Sequence, residues 1–291
     1  MTGRVGGALR SVRASVFVRG ALGSNEGRIG VILVILIVGL ALLGPFFSPY
    51  SPTETVGLPF QPPSKSHWLG TEELGRDTLS RFLHGGATLI AVSFLATGLA
   101  YVIGIPFGLA AGYKRGAADH ATSALADLLL VFPPIVFVLV VVAALGSGLV
   151  LVIVAIAVVH APRVYRLVRA ATLDISTQEY VEAAVGRHES VPSIVGREIL
   201  PNIWPWIRTD FGVRFTGSVI LFASLSYLGF GQSPPASNWG QMISENKQAL
   251  LTQPLVVLVP AATIALLTIG VNLVAESLNR GAGRSVVGRG V

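Results

Sequence analysis

Residues 29–47 run for nineteen positions without a charged side chain. As a helix rising about 1.5 Å per residue, they span roughly 28 Å, the thickness of a bilayer's hydrocarbon core. The whole chain is 52% hydrophobic and only 12% charged, where soluble domains carry roughly 25% charged residues. An all-α integral membrane protein is the fold class these numbers allow. There is no cysteine, so disulfides and cysteine metal sites are excluded. The five histidines, at 67, 84, 120, 160 and 188, lack metal-ligand spacing.

Five further hydrophobic segments follow, at 87–112, 121–146, 149–164, 203–230 and 254–278. They make residues 29–280 a six-helix transmembrane domain. Residues 1–28 form a basic arm, read as cytoplasmic, and 281–291 a cytoplasmic tail. Only Lys65, Arg76, Arg81 and Lys247 fall on the expected outside; the other seventeen Lys and Arg lie at or inside the cytoplasmic boundary. That asymmetry puts both termini in the cytoplasm. The net charge of +6 belongs to this pattern and does not point to nucleic acid. Gly104, Gly108 and Gly112 give two successive small-residue steps for close helix packing. Asp127 either lines a polar path through the bundle or pairs with an arginine of a neighbouring helix. Arg214 either meets the carboxylate of a passing solute or pairs with Asp210, four residues away on the same face.

The long polar stretch is the loop at 165–202. Ser176 and Glu179 have capping-box spacing, predicting a short helix from Ser176 to Gly186. Tyr180 with Ala184, and Val181 with Val185, fall four apart. By itself this is also what an amphipathic connector would look like. The words Glu182-Ala183-Ala184 and, further on, Ile199-Leu200-Pro201 resemble the EAA loop of binding-protein-dependent ABC importer permeases. His188 stands where that pattern usually has Gly, and Gly186 is expected to supply the turn. The resemblance implies a type I importer architecture in which this loop is a cytoplasmic coupling helix docked on an ATPase. Tyr180, Val181, Glu182, Ala183, Ala184, Gly186, Arg187 and His188 would form the contact, with the two alanines allowing close approach.

A second run, 61–81, resembles the dipeptide, oligopeptide and nickel subgroup, specifically its second permease. The matching residues include Leu69, Gly70, Thr71, Gly75, Arg76 and Asp77, with Glu72 where Asp is usual. Either this is an outer gate or binding-protein contact, or a loop that caps helix ends through local ion pairs of Arg76 and Asp77. Leu228, Gly229, Gly231, Pro234, Pro235, Trp239 and Gly240 carry a third match.

No phosphate-binding P-loop occurs; none of the three lysines follows a glycine. No nucleophile, metal or paired-carboxylate motif appears either, so the chain is not expected to be an enzyme. The resemblance therefore implies partners: a second permease, two cytoplasmic ATPases that bind ATP and Mg, an extracellular or periplasmic binding protein, and membrane lipid. It places the chain in a bacterial plasma membrane, with peptides as cargo. Nickel or another small solute is the alternative cargo. A different class, an ion-coupled carrier titrating Asp127 or Glu276, is disfavoured by the absence of inverted repeats.

Overall fold

The structure is a computed structural model. It describes residues 22–146, 148–231 and 237–287, without the side chains of 118 and 281–287. Most of the expected N-terminal arm, much of the tail, and Pro234 and Pro235 lie outside the described residues.

The described chain is helical, with two isolated bridges, Thr55 to Arg76 and Thr71 to Asp77. Helix α1 is Asn25–Leu43, capped by Ser24, whose Oγ accepts from Gly27 N at 3.0 Å. A 3-10 turn, Gly44–Phe47, closes it at Pro45. Helix α2 is Thr78–Lys114, α3 is Ala117–Val131 and α4 is Pro134–Leu145. Helix α5 is Leu149–Ser176, α6 is Glu179–Gly186 and α7 is Val191–Ile194. A π turn, Val195–Ile199, joins α7 to α8, Leu200–Tyr227. Helix α9 is Trp239–Glu245; after a 3-10 turn, Lys247–Leu251, α10 covers Leu255–Val287.

Several boundaries depart from the sequence reading. Helix α2 begins nine residues before 87, because the Asp77 carboxylate accepts from Ser80 N and Ser80 Oγ at 2.8 and 2.7 Å. The span at 121–146 is two helices bent by 88° at Phe132-Pro133-Pro134, where two prolines remove backbone donors. The span at 149–164 runs on through Pro162 to Ser176. There Arg163 Nη1 donates to the Val159 carbonyl at 3.0 Å, beside the gap the proline leaves in the ladder. Ser176 consequently ends α5, and its Oγ donates to the Leu173 carbonyl at 2.8 Å. There is no capping box; Gln178 occupies the N-cap of α6.

Among the described residues, four helical segments are long and apolar enough to cross a membrane, and a fifth if the bent α3–α4 pair counts as one. Helix α8 has the length, 28 residues, but carries Arg208, Asp210 and Arg214. Helix α2, with 37 residues, is about 55 Å long and overshoots a bilayer core.

Two close helix pairs organise the bundle. Along α2 and α5, a Cβ built on Gly104, Gly108 or Gly112 would lie 2.7 Å from the Cβ of Val164, Val168 or Thr172. The glycine steps are thus filled by β-branched side chains of α5, at a separation only glycine permits. Helices α1 and α10 meet at Gly30 and Gly270, where a Cβ on Gly30 would sit 2.7 Å from the Gly270 carbonyl oxygen. The core between them holds Leu89, Val138, Ile156, Phe222, Leu225 and Trp239. The Trp239 ring stacks on Phe82 at 5.5 Å, and its Nε1 donates to the Phe82 carbonyl at 2.8 Å. A large indole is therefore buried with its one donor satisfied.

Candidate functional site

Helix α6 hangs from α5 by only Thr177 and Gln178. Val181 and Ala184, three apart, are buried and join Val168, Ile194, Ile199 and Ile203 in one apolar cluster. That burial holds an eight-residue helix that would be marginal alone. The buried face is therefore Val181 with Ala184, not the four-apart pairs. Tyr180, Glu182, Ala183, Val185, Gly186, Arg187 and His188 remain exposed. Of the two small alanines, Ala184 is spent inside the chain and only Ala183 faces outward.

The end of α6 is made by His188, not Gly186. His188 adopts φ of 58°, the left-handed region that favours glycine. Its N–H donates to the Val185 carbonyl at 2.9 Å, and Glu189 N donates to the Ala184 carbonyl at 3.2 Å. Together these two bonds form a Schellman cap with histidine at the left-handed position. Arg187 Nη2 and Nε donate to Glu189 Oε1 at 2.8 and 3.1 Å. These contacts hold the Glu189 carboxyl below its ordinary pKa, helped by Ser193. Partial loss of solvent around its ring pushes the Tyr180 phenol up, with the Glu198 charge adding to it.

At the other end of the bundle, residues 48–77 fold into a cap. Gly70 and Gly75 have φ of 73° and 70°. A Cβ on Gly75 would lie 2.1 Å from the Gly57 carbonyl oxygen, so both handedness and space require glycine there. Thr71 Oγ1 donates to the Leu58 carbonyl at 2.6 Å and accepts from Gln61 N at 2.8 Å. His67 Nδ1 lies 3.1 Å from Asp77 Oδ1. The carboxylate of Glu72 accepts from both Arg76 and Arg81. Glu245 of α9 completes the cluster, its Oε2 accepting from Arg81 Nη1 at 2.7 Å and standing 3.8 Å from Arg76 Nη2. Burial pulls the Arg76 guanidinium below its ordinary pKa, and Glu245 opposes the shift.

Thr71, Arg76 and Asp77 are thus sealed inside the cap and Leu69 is half-buried. They hold the loop from inside; Leu58, Trp68 and Leu74 are the large hydrophobic side chains it exposes among the described residues. Nothing in the sequence marks Glu72, Arg81 and Glu245 as a unit. Their closure depends on a partner 164 positions away, which spacing does not signal.

The two candidate path residues are both paired. Asp127 accepts from Arg166 of α5. Arg214 Nη2 donates to Asp210 Oδ1 at 2.8 Å, and Tyr101 Oη donates to Asp210 Oδ2 at 2.6 Å. A third ion pair, with no counterpart in the sequence reading, joins Asp119 to Arg169, with Nε and Nη2 at 2.5 and 2.7 Å from the two carboxylate oxygens.

Long apolar helices in close glycine contact, with ion pairs between them and a short exposed helix at one end, define an integral membrane protein. The chain belongs to the family described as binding-protein-dependent transport system inner membrane component, which its residues 104–286 match. Residues 27–63 match the N-terminal TM domain of oligopeptide transport permease C. It is similar to the glutathione transport system permease protein GsiD of Pectobacterium atrosepticum, with 34% identity over 85% of this chain and 83% of that one. The dipeptide transport system permease protein DppC of Alkalihalophilus pseudofirmus is 32% identical over 86% of this chain and 83% of its own. Among solved structures, the MetNI methionine ABC transporter in an inward-facing conformation shares the fold. The TM-score is 0.52 at 21% identity, over 68% of this chain and 95% of that one. The protein is a permease subunit of an ABC importer, and the family is a transport component, not an enzyme by itself.

Proposed function

We propose that this chain forms half of the translocation pathway of an ATP-driven peptide importer, paired with a second permease and coupled through α6 to two ATPases. An extracellular or periplasmic binding protein delivers the peptide. Six spans are formed by α1, α2, the bent α3–α4 pair, α5, α8 and α10, with both termini in the cytoplasm. In this orientation the cap at 48–77 and α9 both lie outside, which suits their being bound to one another through Arg81 and Glu245. Peptide cargo follows the relatives named for dipeptide and glutathione transport.

The observation that carries the coupling role is the division of α6 into two faces. One face is anchored by Val181 and Ala184, and the other presents Glu182 and Ala183 to solvent. An anchored helix moves with its bundle, and an exposed small residue admits a partner surface. A helix that served only as a connector would need no such outward face. An ion-coupled carrier is a poorer fit, because the carboxylates it would titrate are occupied: Asp127 by Arg166 and Glu276 by Arg280.

The chain's lack of cysteine gives a direct test. Ala183→Cys, made in the intact complex, should cross-link to a co-purifying ATPase in mild detergent, and a second permease should co-purify. A homo-oligomer with no ATPase, and no cross-link at position 183, would overturn the reading.

A further inference from the structure

Helices α1, α2, α8 and α10 leave an open cleft of about 460 Å³ between them, within the size range of ligand sites. Val38, Ile90, Phe94, Phe215, Arg208 and Leu278 are among the residues that line it. Among the described residues, Arg208 is the one polar side chain on the wall. A peptide or sugar bound here would leave its polar groups without partners, at a cost of several kcal/mol for each amide in hydrocarbon surroundings. The wall suits a hydrocarbon chain.

Arg208 fixes which kind of molecule carries that chain. Its guanidinium sits 5.9 Å from the centroid of the Trp204 ring, one turn earlier on α8. Trp204 and Trp206 are both half-exposed, as side chains at a membrane–water boundary are. In the orientation proposed above, these tryptophans mark the cytoplasmic boundary, so a cation on this apolar wall is within reach of lipid phosphates. An arginine fork matches a phosphodiester through paired charge-assisted hydrogen bonds.

We propose that this cleft is a binding site for one anionic phospholipid, with an acyl chain among Val38, Ile90, Phe94 and Phe215 and the phosphate on Arg208. The lipid fills the seam between α1 and α8, so it is part of the packing that holds the first helix to the bundle. Its assignment to the cytoplasmic leaflet rests on the orientation proposed above; retention of the lipid does not.

The test is native mass spectrometry of the intact complex, delipidated in detergent and then titrated with dioleoyl phosphatidylglycerol or dioleoyl phosphatidylcholine. The wild type should retain one phosphatidylglycerol with a preference of roughly fivefold over phosphatidylcholine, the size of one arginine acting on an anionic headgroup. Arg208→Gln should lose that preference, and Arg208→Lys, which keeps the charge but not the fork, should retain part of it. Val38→Trp, which fills the cleft, should lose retention of both lipids. Equal binding of the two lipids by the wild type, or an unchanged preference in Arg208→Gln, would overturn the proposal. So would a cross-link from Val38→Cys showing a helix of the partner permease in the cleft.

Discussion

Arg81 Nη1 lies 2.7 Å from Glu245 Oε2, joining the first turn of α2 to the last residue of α9 across 164 positions of sequence. The same guanidinium is held by Glu72, and the side chains of Arg81 and Glu72 are each only 1% exposed. Charge closes the cap here, beside an apolar cluster in which Phe60 packs with Ala249, Val256 and Val257. Removing one partner from the charged group leaves the others with fewer counter-charges in a dry site.

Arg81→Met should therefore destabilise the protein by about 3–5 kcal/mol, the usual result of breaking a buried ion pair, because Glu72 then keeps only Arg76. Replacing Glu72 as well, in Arg81→Met with Glu72→Met, should recover only part of the loss, because Arg76 then keeps Glu245 alone as its partner. Thermal unfolding of the single and double variants in detergent measures both. Glu245→Gln should cost less, since that carboxylate is 24% exposed.

Gly108→Ala places a methyl group 2.7 Å from Val168 Cβ and 2.9 Å from the Tyr165 carbonyl oxygen. Backbone cannot yield as a flexible side chain does, so α2 and α5 must move apart. The expected cost is about 1–3 kcal/mol. At Gly98, on the same helix, an added methyl would meet nothing within 4 Å, so Gly98→Ala should be neutral or slightly stabilising. A comparison of the two melting temperatures decides the point.

His188→Gly should stabilise the end of α6, since a left-handed non-glycine residue costs about 1–2 kcal/mol. His188→Val should do the opposite, because a β-branched side chain tolerates that backbone least. Amide hydrogen exchange across 184–189 should slow in the first variant and quicken in the second.

Ala183→Trp and Ala184→Trp should fail differently. Ala183 is exposed, so its variant should insert and pack normally while uptake and ATPase stimulation are lost. Ala184 is fully buried, so its variant should detach α6 from Ile194 and Ile199 and lower the melting temperature. Measuring uptake beside thermal stability separates the two. Normal uptake in Ala183→Trp would remove the coupling role from this face.

The sequence shows most of the membrane architecture because a bilayer demands long apolar runs, and residues 29–47 announce one plainly. It marks where helices stop less well. Arg81 reads as the end of a polar loop, and Glu72 and Glu245 let it lie buried in the first turn of a helix. Pro162 and Arg163 read as a terminus, yet the arginine reaches back to the Val159 carbonyl and α5 continues. His188 looks like a defect in a glycine pattern, whereas the backbone keeps the turn at that position and accepts the strain. For the candidate site, the chemistry of α6 is legible but its faces are not. Which alanine turns outward depends on Ile194 and Ile199, which return to α6 only after another turn of chain.

Helix α5 is continuous from Leu149 to Ser176, a rod of about 42 Å, and α6 follows after a two-residue joint. With so short a hinge there is little slack for a stroke at α6 to be absorbed. Under the proposed coupling, the far end of the rod, where α5 meets α4 and α8, would take the same displacement. Transmission across the membrane then needs no relay of side chains, only a stiff strut anchored at its foot.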